Sequence, residues 1–363
     1  MTAPMSQATT RASVERVRPR LRLGPLLLVR RIRVVVACLV LCALAAGAAC
    51  LSTTTGAFHI PLRDVLQTIA GHGTARQHFI VVETRLPRAI TGLVAGLALG
   101  VSGALVQGVA RNPLASPDIL GVTTGAGLVA VAALTGAGGL VGGITNTLGI
   151  GVAAMVGGLL TGISVYALAW KKGVDGQRLV LVGVATTGIL GALTEWLLLR
   201  VDLRNLAQTR TWLYGSLGEA SWAQVQGSAV AVMLLVGCAL ALARSLQALQ
   251  LDEDLAAGLG VRLGRVRAVL LVLAVLLVGV ATAAAGPIGF VAFVAPQIAQ
   301  RLTRLPAPPL IASGLCGAAL LVLADWVARV VLPQALPVGI ITSLIGGPYM
   351  VALLVRTSRK ATA

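Results

Sequence analysis

Three consecutive acids, Asp252, Glu253 and Asp254, stand out in a chain whose 363 residues include only 12 Asp and Glu. They sit in Leu251–Gly264, LDEDLAAGLGVRLG. Asp252 suits a helix N-cap, and Glu253 and Asp254 favour the positive end of a helix dipole. Leu251, Leu255 and Leu259 recur at i, i+4 and i+8 and share one face. Gly258 and Gly260 suit the stop. The stretch is a short helix with an apolar stripe and no core of its own, either a solvated connector or a docking element for a soluble partner. The other reactive types are scattered. Cys38, Cys42, Cys50, Cys238 and Cys316 each lie in an apolar run, form no CxxC pair, and read as small core residues. His59, His72 and His78 share one early polar loop and read as solvated loop residues ahead of a metal site. Glu195 and Asp325 are the only acids well inside apolar runs. The chain has no GxxxxGK[ST] loop, so it does not hydrolyse ATP by that route.

The elements that must position these residues are membrane spans. The chain is 57% hydrophobic and 11% charged, with mean hydropathy +0.91. Apolar runs near 20 residues match a hydrocarbon core about 30 Å thick. The 43 glycines suit close helix packing through small residues. The net charge of +17 does not indicate nucleic acid, because the basic residues sit at the ends of apolar runs and aromatics are 3%. Ten spans are expected. They are Val34–Leu51, Arg88–Gly108, a third ending near Leu134, Leu148–Trp170, Leu179–Leu199, Ala223–Ala243, 268–285, a Gly/Pro-broken Gly289–Arg301, Leu310–Val331 and Val338–Val355. No A-x-A site follows the first run, so it reads as a span and not a signal peptide. Residues 1–33 read as a disordered basic tail, 34–356 as the membrane domain and 357–363 as a short tail. Pro61–Ala70 reads as an amphipathic piece in a polar loop, and 200–222 as a longer loop.

The basic residues set the orientation. With the N-terminus in the cytoplasm, 21 of the 29 Lys and Arg fall inside and eight outside. Both termini and Leu251–Gly264 are then cytoplasmic. An internal echo is visible as well. RAITGLVAGLALGVSG (Arg88–Gly103) and RAVLLVLAVLLVGVAT (Arg267–Thr282) align without gaps, and each precedes a Pro/Gly-interrupted segment. One copy runs out-to-in and the other in-to-out, which is an inverted repeat of about 85–199 and about 267–355 flanking a coupling loop at 245–266. The expected fold is an all-α polytopic membrane protein of about ten transmembrane helices with an inverted internal repeat.

Beyond residue 60 the chain resembles the FecCD-type permeases, the membrane subunits of importers for ferric siderophores, haem and vitamin B12. The motifs are RLPRAITGLVAGLALGVSGALVQGVARNPLASPDILGVTTGAG, WLYGSLGEASW, LAAGLGVRLGRVR, GPIGFVAFVAPQIAQRL, LADWVAR and LPVGIITSLIGGPYMVALL, in family order and spacing. The AFVAPQIAQRL version with SPDILGVT looks like the enterobactin-type branch. The resemblance implies a type II ABC importer permease fold. It also implies a second permease subunit, an ABC ATPase dimer, an external binding protein, a bilayer, and no cofactor or nucleic acid. Leu251, Asp252, Glu253, Leu255, Ala256, Leu259, Gly260 and Val261 match the cytoplasmic coupling helix that seats on the ATPase. Arg85 and Arg88 of RLPR and Arg329 of LADWVAR match external arginines that pair with glutamates of the binding protein. Such rim charges add orientation and on-rate more than affinity. Asn112, Pro113 and Leu114 match the inner narrowing of the pathway, with Gly286 and Pro287 also on it. Two positions depart from the family pattern. Ala335 precedes Leu336 where Glu is frequent, and Gln297 follows Pro296 where His is frequent. The implied function is ferric-siderophore import by alternating access, driven by a partner ATPase. The same architecture carrying haem or a corrinoid is the nearest alternative. An ion-coupled secondary transporter is the alternative of another class, and it would need more intramembrane acids or bases.

Overall fold

The computed structural model describes residues 25–135, 149–170, 176–250, 263–334 and 336–361. Among them every regular element is helical. Helices α1 (Pro25–Thr54) and α2 (Leu62–Ile69) lead into α3 (Ala75–Ala110), and α4 (Val122–Leu134), α5 (Ile150–Ala169) and α6 (Gly176–Leu198) follow. Next come α7 (Leu203–Leu213), α8 (Trp222–Ala241), α9 (Leu263–Ala285), α10 (Val291–Thr303), α11 (Leu310–Val331) and α12 (Val338–Ala361). Eight of these are long and apolar enough to cross a hydrocarbon core. The third and eighth expected spans, α4 and α10, are helices of only 13 residues. Two boundaries differ from expectation. Helix α1 begins at Pro25, ahead of the apolar run, and part of the 200–222 loop is the 11-residue α7.

Local chemistry sets the ends. A capping box opens α8, in which Ser221 Oγ accepts from Gln224 N and Gln224 Oε1 accepts from Ser221 N. Thr74 and Gln77 open α3 in the same way. Helix α3 widens into a π turn at Phe79–Arg85, just before Pro87, whose ring would crowd the Glu83 carbonyl in a regular α-helix. A second π turn, Val327–Val331, ends α11. Both half-length helices start from a left-handed residue, Gly121 (φ 76°) for α4 and Phe290 (φ 67°) for α10.

Helices α3, α9 and α11 form the buried interior, while α1, α6, α8 and α12 keep most of their surface exposed. The two repeats are interleaved. Helix α3 of the first packs on α11 of the second, α9 of the second packs on α5 of the first, and α3 and α9 meet between them. Small residues permit the close approach. A Cβ at Gly96 would overlap the Gly317 carbonyl, and one at Gly100 the Ser313 carbonyl. On the other seam a Cβ at Gly279 would lie 2.9 Å from Met155 Cγ and one at Gly151 2.8 Å from the Ala283 carbonyl oxygen. Residues 100 and 279, equivalent in the gapless alignment, both sit where a Cβ would meet a neighbouring helix. Pro296 lacks the N–H that would bond the Ala292 carbonyl, and that carbonyl lies against Gly103.

Gly100→Val should therefore reduce folded protein at least tenfold. Its added carbons meet backbone, which has no rotamer to yield, so the overpacking cost exceeds ~1.4 kcal/mol. Gly47→Val is the control, because a Cβ there meets nothing within 4 Å. Size-exclusion profiles of detergent-extracted protein check both. Equal monodisperse peaks for the two variants would refute the seam.

Candidate functional site

The half-length helices and the last helix of each repeat enclose a cleft. One cavity of about 290 Å³ is lined by Thr123 and Thr124 of α4, Thr194 and Glu195 of α6, Pro287, and Ser343 of α12. A second, of about 250 Å³, is lined by Ser116, Asp118, Thr187, Phe290, Phe293 and Met350. Gly289 borders both, so they adjoin. Asp118 Oδ2 accepts from Phe290 N at 3.1 Å, which ties the turn before α4 to the start of α10. The α10 N-terminus is thus already supplied with a carboxylate.

Asn112, Pro113 and Leu114 line neither cavity; they lie just ahead of Ser116, which lines the second. Arg111, left-handed at φ 47°, ends α3. Asn112 Oδ1 accepts from Leu114 N at 2.9 Å and closes a tight Asx turn. Gln297 Nε2 donates to the Pro113 carbonyl at 2.9 Å, and Tyr349 Oη donates to Gln297 Oε1 at 3.2 Å. Gln107 Nε2 donates to the Phe293 carbonyl at 3.0 Å. The turn is thus fastened to α10 and α12. It is also fastened to the residues just before the acidic loop. Arg111 Nε donates to the Leu249 carbonyl at 2.6 Å, and Gln250 Nε2 donates to the Gly108 carbonyl at 2.8 Å. Leu251, Asp252, Glu253, Leu255, Ala256, Leu259, Gly260 and Val261 lie outside the described residues.

Beside the first cavity two glycine-bearing turns press against each other and against the start of α12. Ser216 N donates to the Ala285 carbonyl at 2.9 Å. A Cβ at Gly215 would lie 2.7 Å from the Pro287 carbonyl oxygen, one at Gly286 2.6 Å from the Trp212 carbonyl oxygen, and one at Gly339 would overlap the Tyr214 carbonyl. Gly286 and Pro287 are thus joined by Tyr214, Gly215 and Gly339, which the sequence reading did not single out. Their signal was present in the WLYGS and LPVG motifs.

The three arginines lie together, but their guanidinium groups turn inward. Arg85, 7% exposed, donates to the Thr53 carbonyl at 2.8 Å and the Phe58 carbonyl at 2.6 Å. Arg329 Nη2 donates to the Ser52 carbonyl at 2.8 Å, and its Nη1 to the Thr55 carbonyl at 3.2 Å. Trp326 Nε1 donates to Thr55 Oγ1 at 2.8 Å. Together they cap the end of α1, whose last carbonyls have no helical partner. A Cβ at Gly56 would lie 2.9 Å from Arg85 and 3.1 Å from Arg329, so a side chain there would crowd both guanidinium groups. Arg88 forms a forked ion pair with Asp325, with Nη2 to Oδ1 at 2.7 Å and Nε to Oδ2 at 3.0 Å. Its side chain is 22% exposed and that of Asp325 3%. One of the two acids inside apolar runs is thus neutralised within the chain, and the other, Glu195, faces the cleft.

A bundle of membrane-length helices, with two half-length helices that start beside a cleft lined by hydroxyls and a carboxylate, is the build of a membrane transport permease. Residues 29–356 match the FecCD transport family, and the chain belongs to it. It is 38% identical over 331 residues to the ferric enterobactin transport system permease protein FepG of Escherichia coli (strain K12), covering 90% of this chain and 98% of that one. It is 36% identical over 312 residues to the iron(3+)-hydroxamate import system permease protein FhuG of Bacillus subtilis (strain 168), covering 85% and 93%. Its fold matches a solved metal-chelate type ABC transporter in an inward-facing conformation, with TM-score 0.74 and 28% identity over 88% of this chain and 99% of that one. The chain is thus a multi-pass membrane protein of an ABC importer.

Proposed function

We propose that this chain is a permease subunit that moves ferric siderophores across the cytoplasmic membrane, driven by ATP hydrolysis on a separate ATPase dimer and paired with a second permease. The carrying observation is the double fastening of the Asn112–Leu114 turn. The turn lies just ahead of Ser116, which lines the second cavity, and is hydrogen-bonded through Arg111 and Gly108 to Leu249 and Gln250, directly before the acidic loop. A displacement of Leu251–Gly264 by the ATPase pulls on that turn, and Gln297 passes the motion to α10 and α12. The pathway opens inward while the Tyr214–Gly215 and Gly286–Pro287 turns close it outward, as alternating access requires. The cleft is open along α6 and α12, where Val184, Ile189, Leu193, Leu344 and Ile345 are exposed and fit the second permease. Both termini and the acidic loop are cytoplasmic, in keeping with 21 of 29 basic residues on that side. The binding protein docks at the arginine end. Arg85 and Arg329 serve docking by shaping that surface, and the open edge of Arg88 offers the charge a carboxylate can reach.

The test is uptake of radio-iron siderophores in a strain lacking the gene, with and without the cloned gene, together with purification through a tag on the permease. Uptake should depend on the gene, and an ATPase should co-purify. Uptake by the permease reconstituted alone, driven by an ion gradient, would establish the secondary-transporter reading instead.

A further inference from the structure

We propose that Glu195 makes the cleft selective by charge. It favours ferric chelates that are neutral or carry a cationic group over chelates that are polyanionic. The inference rests on the transport reading above and narrows it to a substrate class.

The lining carries the argument. Glu195 projects from α6 into the 290 Å³ cavity and is exposed there. Among the described residues it has no ion pair. Around it stand the hydroxyls of Thr123, Thr124, Thr194 and Ser343, and among the described residues no Lys or Arg lines this cavity or the adjoining one. Thr194 donates its proton to the Leu190 carbonyl at 2.8 Å. Its hydroxyl therefore offers a lone pair, not a proton, to whatever enters. The nearest cation along the helix, Arg200, is held over the Trp196 ring at 4.3 Å and does not line the cavity. An ionisable group inside a membrane domain that pairs with nothing is a functional group by default. A cleft lined by one sign of charge, with low-dielectric walls, concentrates the opposite sign and repels its own. Ferric chelate chemistry divides along the same line. Hydroxamate groups each bring one negative charge and so neutralise Fe(III) as a set, and pendant amines then make the chelate cationic. Catecholate groups each bring two and leave a polyanion, for which this lining offers no counter-charge.

The experiment uses the complete transporter, permeases with ATPase and binding protein, in proteoliposomes. It measures uptake of a ferric tris-hydroxamate bearing a free amine and of a ferric tris-catecholate, for the wild type, Glu195→Gln and Glu195→Lys. The binding protein is common to all three, so only changes in the uptake ratio report on the permease. The hydroxamate-to-catecholate ratio should fall on the order of tenfold in Glu195→Gln, the effect of one charge across a cleft of intermediate dielectric. It should fall further in Glu195→Lys. A ratio unchanged within about twofold in both variants, whether or not total uptake falls, would assign Glu195 to packing or subunit contact and overturn the inference. A wild-type transporter that carries neither chelate would overturn the transport reading and this inference with it.

Discussion

Arg88→Met alone should destabilise the folded permease by about 3–5 kcal/mol, because it strands the Asp325 carboxylate without its cation. Asp325 has a side chain only 3% exposed and takes three N–H contacts from one guanidinium, at 2.7, 3.0 and 3.2 Å. Asp325→Leu should be harmful for the converse reason, although Arg88 is partly exposed and can turn toward solvent, so its loss should be the smaller. The pair Arg88→Met with Asp325→Leu should recover most of the stability, since a buried ion pair replaced by apolar groups of similar volume is often neutral or better. Denaturation of the four proteins in lipid nanodiscs gives the coupling energy directly. Additive single effects would mean that the fork contributes nothing as a pair. The stable double variant also separates shape from charge. If Arg88 receives a binding-protein carboxylate, that variant folds and keeps its ATPase but imports poorly.

Leu255→Asp with Leu259→Asp should abolish import and release the ATPase. In the proposed arrangement both leucines fill a cleft on the partner, and burying two unpaired carboxylates there costs several kcal/mol, or a hundredfold and more in affinity. Arg111 and Gln250 should still tie Leu249 and the inner turn together, so the permease itself should stay folded. Purification through a tag on the permease, followed by measurement of bound ATPase and of uptake, reads both. A double variant that keeps its ATPase and its uptake would leave Leu251–Gly264 as a hydrated connector, and energy would have to enter elsewhere.

The spans were legible because hydrophobic length is a local property, and so were the interruptions before α4 and α10, since Pro and Gly break helices wherever they fall. Helix α7 was not, because Leu203–Leu213 is mostly polar and carries no apolar run. The arginines show the harder limit. Their types and positions suggested charges offered to a partner, yet Arg85 and Arg329 spend their donors on carbonyls that end α1, and main-chain carbonyls carry no sequence signature. Asp325 could be noted as an acid in an apolar run, but its cation lies 237 residues away. Gln297 was visible only as a departure from a motif. Its meaning, a bridge from Pro113 to Tyr349, needed the third dimension.

The interleaving of α3 with α11 bears on how this chain is made. Arg88 enters the membrane 237 residues ahead of the aspartate that neutralises it. At about 5–20 residues per second of synthesis, that wait is roughly 10–50 s. Throughout it the glycine seam of α3 lacks the α11 face it packs on, and an arginine stands near the bilayer edge without its counter-ion. The first half cannot finish folding by itself, because its longest helix is shaped to fit a partner that has not yet been translated. A ribosome that stalls or terminates before Leu310 leaves the α3 seam uncovered.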